Sequence, residues 1–261
     1  MKETVIKIRH RYNNKIIFEY YVSKNIMENN VFAKAVEEAV KQGVSLAYAN
    51  LSNVCLSNTN LENGDFSNAS LSHTDLYSAN LKNTNLSNAD LYCSNLRNTN
   101  LYEANLVGAD LTGATVIGAN FENACLIDTN LNNTFMAKVI LKNASINYPM
   151  ACPETGSFIG WKIVKHTKRN YHDFLVKLEI PAEAKRSSAT TDKCRCEFAK
   201  VLEIWDLLYN VNLSEVTNYN IKETVYKVGE MVYPDKWDDN RWNECSNGIH
   251  FFMNQKDAIN Y

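Results

Sequence analysis

The chain has 261 residues and nearly balanced charge, 27 Lys and Arg against 29 Asp and Glu. That balance excludes a global electrostatic pull toward nucleic acid, and no apolar run approaches the ~20 residues that a membrane-spanning helix needs. Seven cysteines, an odd number, are scattered along the chain and no apolar leader follows Met1-Lys2-Glu3, so the expectation is reduced thiols in a cytoplasm.

Residues 1–43 read as a hairpin and a helix. Two β-branched and aromatic runs, 5–9 and 16–22, flank Asn13-Asn14, a plausible tight turn. Asn30 is placed to cap a helix whose Phe32, Ala33, Val36, Ala39 and Val40 share one face, and Gly43 is placed to end it. A repeat begins at once after Gly43, so this segment is expected to cover the repeat's open end. The basic residues Lys7, Arg9, Arg11 and Lys15 offer a second role for the hairpin, as a binding face.

Residues 44–148 are organised by a period of five. From Leu46 through Leu51, Leu56, Leu61 and Phe66 to Leu141 and Ile146, a large apolar residue recurs without a slip. Two positions before it usually sits a small residue, as at Thr74, Ala79, Thr84 and Ala89, and between the two there is usually Asn or Asp. This period fits neither a helix nor an alternating strand. Two apolar residues two apart point the same way in extended chain, so the chain must turn before the next pair. A right-angled turn each time closes a coil of about 20 residues, and stacked coils bond backbone to backbone.

In twenties, Leu51, Leu71, Leu91, Leu111 and Leu131 would stack on one wall, and the other three ladders are equally apolar. Asn53, Asn58, Asn63, Asn68 and their equivalents would hold the corners, because Asn tolerates turn dihedrals. Tyr77, Tyr92 and Tyr102 should face outward. Toward the end the pattern decays: Phe135 and Ile140 replace the Asn/Asp position and should point outward, so the last coil is expected to pack against a neighbour, naturally the C-terminal domain.

The repeat resembles the pentapeptide-repeat family, which implies a right-handed quadrilateral β-helix, here of about five coils. Some members of that family protect gyrase by mimicking a DNA duplex, which makes inhibition of a DNA-binding enzyme an alternative function. Against it, the coils carry eight acids to four bases, a weak charge for a mimic, on a rod of only about 24 Å.

Residues 149–261 differ in composition and contain all four prolines and all four tryptophans. Strand-like runs fall at 157–164, 174–180, 200–206, 225–232 and 248–253, followed by a helix at 254–261, which predicts a small mixed α/β domain, mostly strands. The stretches around Cys152-Pro153, Ile180-Pro181 and Gly248-Ile249-His250 resemble an uncharacterised domain that follows pentapeptide repeats in bacterial and phage proteins.

Within this region the candidate binding residues are Trp161, Tyr226, Glu244, Cys245 and His250. Cys152, Cys194, Cys196, Cys245 and His250 are possible zinc ligands, but no C-x-x-C pair supports them, so no metal and no cofactor is assigned. Gly248 to Phe252 loosely resembles the strand of ADP-ribosyltransferases, which makes an enzyme the alternative. No early Arg or His motif accompanies it, and no catalytic residue is assigned. Lys185-Arg186-Ser187-Ser188 could bind an anion or form a solvated loop, the loop being preferred. The fold class is therefore mainly β, a capped quadrilateral β-helix with a small α/β domain. The function expected is a non-enzymatic scaffold whose partner is another protein, with neither nucleic acid nor membrane.

Overall fold

The computed structural model describes residues 4–22, 30–165, 173–218, 224–242 and 247–261, in two compact units, Met1–Tyr148 and Pro149–Tyr261. The first opens with the antiparallel hairpin of β1 (Thr4–Arg9) and β2 (Ile16–Val22), whose turn uses Asn14 at φ 57°. Helix α1 (Val31–Lys41) follows and buries Ala33, Ala35, Val36 and Ala39. Asn30 caps it: its side chain accepts from the Ala33 amide at 3.2 Å and donates to the Cys55 carbonyl at 2.6 Å, so one residue starts the helix and ties it to a coil. At the other end Gly43, at φ 69°, lets Val44 N bond Ala39 O and Gly43 N bond Val40 O, the paired closure of a Schellman motif. The hairpin finishes the solenoid's open end. Asn50 N donates to Arg9 O and Arg11 N to Tyr48 O, both at 2.7 Å, so backbone groups that would otherwise stand free are paired.

Each unit of five then makes one side of a square coil. The large residue starts a four-residue turn whose third residue lies in the left-handed region, as at Asn58, Asn63, Asn68 and His73, while the second does not. That is the type II form, closed by bonds such as Ala69 N to Phe66 O at 3.0 Å. Asn occupies most of these corners, as expected, and Gly108, Gly113 and Gly118 take three more. Parallel bridges link residues twenty apart, from Asn50–Ser70 to Asn120–Ile140, and β3 (Cys125–Leu126) pairs with β4 (Ser145–Ile146) in the same register.

The lumen is filled mainly by apolar side chains. Leu51, Leu91 and Leu111 are fully buried and Leu71 is 2% exposed. Where the small position is Thr, its hydroxyl bonds a lumen-side carbonyl, as Thr74 to Leu51 O and Thr99 to Leu76 O, both at 2.8 Å, so the polar atom is buried without penalty. Outside, Tyr77 and Tyr92 are exposed, as are Phe135 and Ile140 on the decaying last coil.

The second unit is built on an eight-stranded antiparallel sheet. Its strands are β5 (Phe158–Lys165), β6 (Asp173–Ile180), β7 (Arg186–Ser188), β8 (Lys193–Cys196), β9 (Ala199–Asp206), β10 (Val211–Asn212), β13 (Met231–Val232) and β14 (Ile249–Phe252). The order is β10-β9-β6-β5-β14-β8-β7, with β13 also on β9. A separate hairpin pairs β11 (Glu215–Asn218) with β12 (Thr224–Lys227), and α2 (Gln255–Asn260) ends the unit.

The 225–232 run expected as one strand is two, β12 and β13, broken by a turn at Gly229 with φ 88°. The main core lies on one sheet face, where Val164, Val176, Leu178, Val201, Ile249 and Phe251 pack with Val216 and Tyr226. On the other face Leu175, Phe252 and Ala258 pack with Trp161, Ile163 and Trp205.

Candidate functional site

Alternation along β5 and β14 decides where the predicted residues go. Trp161 belongs to the α2 face of the sheet, and His250, lying between core-facing Ile249 and Phe251, shares that face. Tyr226 reaches the opposite face from β12 and is 3% exposed. The sheet therefore separates Tyr226 from Trp161 and His250. Glu244 and Cys245 lie outside the described residues.

Around Trp161 the face is partly open. Its ring lies 5.9 Å from that of Trp205 and both are half-buried. Lys177, between them on β6, stands 5.7 Å over the Trp161 ring and pairs with Glu203 at 2.8 Å. This sets two broad apolar rings beside a charge of each sign on one sheet face.

Below the sheet, Lys162 turns its ammonium into the main core. It donates to the His250 carbonyl at 3.2 Å and faces the Tyr226 ring at 6.0 Å. Burial pushes its pKa down to about 8 and pushes the Cys196 thiol up to about 12. Cys194 and Cys196 point to that same core, so His250, on the far face, cannot join them. Among the described residues no group of three or more His, Cys, Asp or Glu is placed to hold a metal ion.

Residues 42–143 match the pentapeptide repeats, in eight copies, and residues 148–258 match a family of unknown function, DUF5758. Over its coils the chain belongs to the pentapeptide-repeat family. Similar solved structures include the pentapeptide repeat protein Rfr23 from the cyanobacterium Cyanothece 51142, 34% identical over 39% of this chain and 66% of that one, with a TM-score of 0.22. Another, from Nostoc Pcc 7120, is 27% identical over 41% of this chain and 93% of that one, with a TM-score of 0.24. QnrB1, a plasmid-mediated fluoroquinolone resistance protein, is 19% identical over 39% of this chain and 54% of that one, with a TM-score of 0.27. No curated protein matches the chain.

The pentapeptide-repeat coils carry side-chain ladders that the period alone does not reveal. Asn80 donates to Asn60 at 2.8 Å and Asn100 to Asn80 at 3.1 Å, while each of these Oδ1 atoms also accepts from an amide two residues on, as from Lys82 and Tyr102 at 3.2 Å. The outer wall thus satisfies its own amides. The basic hairpin residues are also engaged: Lys7 pairs with Glu19 at 3.0 Å, Arg9 donates to Asn14 O at 2.9 Å and Arg11 to Asn68 O at 3.0 Å. Ser187 and Ser188 depart from the expected solvated loop. They lie in β7 and are buried, because β7 pairs with β8 and the Ser188 hydroxyl accepts from Ala151 N at 2.7 Å. Among the described residues no helix is long and apolar enough to cross a membrane.

Proposed function

We propose that this pentapeptide-repeat protein is a non-enzymatic scaffold that binds another protein, with the solenoid as its stiff element and the C-terminal domain as its recognition element. The half-buried Trp161–Trp205 pair beside Lys177 and Glu203 carries this proposal. Tryptophan is among the side chains that most often anchor protein–protein contacts. Stiffness is supported by coils bridged to each other at every wall and filled by aliphatic side chains. The separation of Tyr226 from Trp161 and His250 weighs against the transferase alternative, which needs such groups around one ligand. A reducing cytoplasm is the proposed setting, supported by buried free thiols at Cys152, Cys194 and Cys196.

Photo-crosslinking tests the proposal. A benzophenone amino acid at Trp161 in the intact chain should trap a discrete protein that the same probe at Ser87, on the solenoid wall, does not. Labelling identical from both positions refutes the assignment of recognition to this face.

A further inference from the structure

Strand β7 places one polar atom where the fold gives it no use. Ser187 is 4% exposed, and its hydroxyl is the one buried side-chain polar atom without a hydrogen-bond partner among the described residues. Buried polar groups are nearly always paired, so an exception asks for a cause. Ser187 lines a cleft of about 410 Å³ together with Lys185, Arg186, Trp237, Asp239 and Arg241. A water takes about 30 Å³ of liquid, so the cleft has room for an ion with an organic body attached.

The charges around it are arranged for an anion. Arg186 donates to the carbonyls of Gly156 at 2.5 Å, Ala182 at 2.6 Å, Pro181 at 2.7 Å and Ala184 at 3.0 Å, bonds that fix the guanidinium without neutralising it. Arg241 is fixed by the carbonyls of Ser188 at 3.0 Å and Pro149 at 3.2 Å. Their field helps hold the Cys152 thiol below its usual range, after the larger effect of a hydrogen bond from Cys194.

At the rim, the Asp239 carboxylate accepts from Trp237 Nε1 at 2.6 Å and from Lys185 Nζ at 3.3 Å. That carboxylate marks where an anionic oxygen is already welcome. The Lys185–Asp239 side chains are 57% and 77% exposed, so the pair is weak and easily exchanged. Glu154 is also on the lining and repels an anion where it stands.

We propose that this cleft binds the oxyanion group, phosphate or carboxylate, of a small ligand. The Ser187 hydroxyl donates to the anion, Lys185 exchanges Asp239 for it, and Arg186 with Arg241 supplies the field. This site is independent of the tryptophan face and of the scaffold role.

The test uses the full-length ¹⁵N-labelled chain at low salt. The Trp237 indole N–H signal, assigned by its loss in Trp237→Phe, is followed while inorganic phosphate, or separately acetate, is added. A saturable shift is expected, and the anion that produces it distinguishes phosphate from carboxylate. Ser187→Ala should weaken binding about tenfold without lowering Tm, since it removes an unsatisfied hydroxyl. Asp239→Asn should tighten binding about two- to fivefold by removing the competing carboxylate. A drift that fails to saturate with both anions, an affinity unchanged by Ser187→Ala, or weaker binding by Asp239→Asn would each overturn the proposal.

Discussion

Leu91→Ala probes the interior of the solenoid where it is most constrained. Leu91 is fully buried, with Leu71 and Leu111 one coil away on either side. Truncation to Ala deletes three carbons, about 2.4 kcal/mol of transfer free energy at ~0.8 per carbon. The space left behind cannot collapse readily. The wall is pinned on both sides by backbone bonds, Leu91 N to Asp110 O at 2.8 Å and Asp90 N to Ala69 O at 3.0 Å. A residual cavity then adds to the loss, for a total of about 3–4 kcal/mol.

Leu141 belongs to the same repeat but lies on the decaying last coil and is only half-buried, so Leu141→Ala should cost less than about 1.5 kcal/mol. Ser87→Lys, on the outer side of a turn, should stay within about 0.5 kcal/mol of the native protein. Urea unfolding of each full-length variant, with hydrogen exchange followed on peptides from 71–111, separates solenoid opening from events in the C-terminal unit. Equal losses from Leu91→Ala and Leu141→Ala, or a Leu91→Ala loss below about 1 kcal/mol, would refute a lumen packed coil by coil.

Three further outcomes follow from named contacts. Gly160→Ala would place a Cβ 2.6 Å from Phe251 Cδ2, and the resulting overpacking should cost about 1–3 kcal/mol in thermal unfolding. Gly43→Ala meets no atom within 4 Å, yet its φ of 69° makes the loss a backbone effect of about 1–2 kcal/mol, and Gly43→Asn should recover part of it in the same assay. The third is a pH dependence. Lys162 has its pKa lowered to about 8 from the ordinary lysine value of 10.5, so the unfolded chain binds more protons between those values and the cost of burying the ammonium is relieved as pH rises through them. Lys162→Met removes that cost, so its stability relative to the native protein should fall by about 1 kcal/mol between pH 7 and 9; a difference that stays constant with pH would contradict the buried charge.

The two units differ in how far their sequence discloses them. In the solenoid the partner of each residue lies twenty positions away in a copy of the same unit, so one pattern states both the local turn and the long-range contact. The caps were equally plain, because Asn30 and Gly43 act on residues within a few positions. What stayed hidden there was the second use of the Asn/Asp position, the ladders from Asn60 to Asn80 to Asn100, since a turn residue and a ladder residue look alike in one dimension.

The C-terminal sheet has no such redundancy. Its order sets β14 between β5 and β8, so the neighbours of His250 are strands whose sequences say nothing of it. Trp161, Tyr226 and His250 could be chosen as chemically capable, but only the sheet reveals that two face one way and one the other. Ser187 shows the same limit in the opposite direction. Arg186-Ser187-Ser188 has no apolar signal and reads as solvated chain. Its burial comes from Arg195 and Cys194 across β8 and from Arg241, which reaches Ser188 O from 53 positions away. A polar residue hidden by distant chain is invisible to pattern and conspicuous in structure, which makes the unpaired hydroxyl of Ser187 a sharper guide to this domain's chemistry than Trp161, Tyr226 or His250.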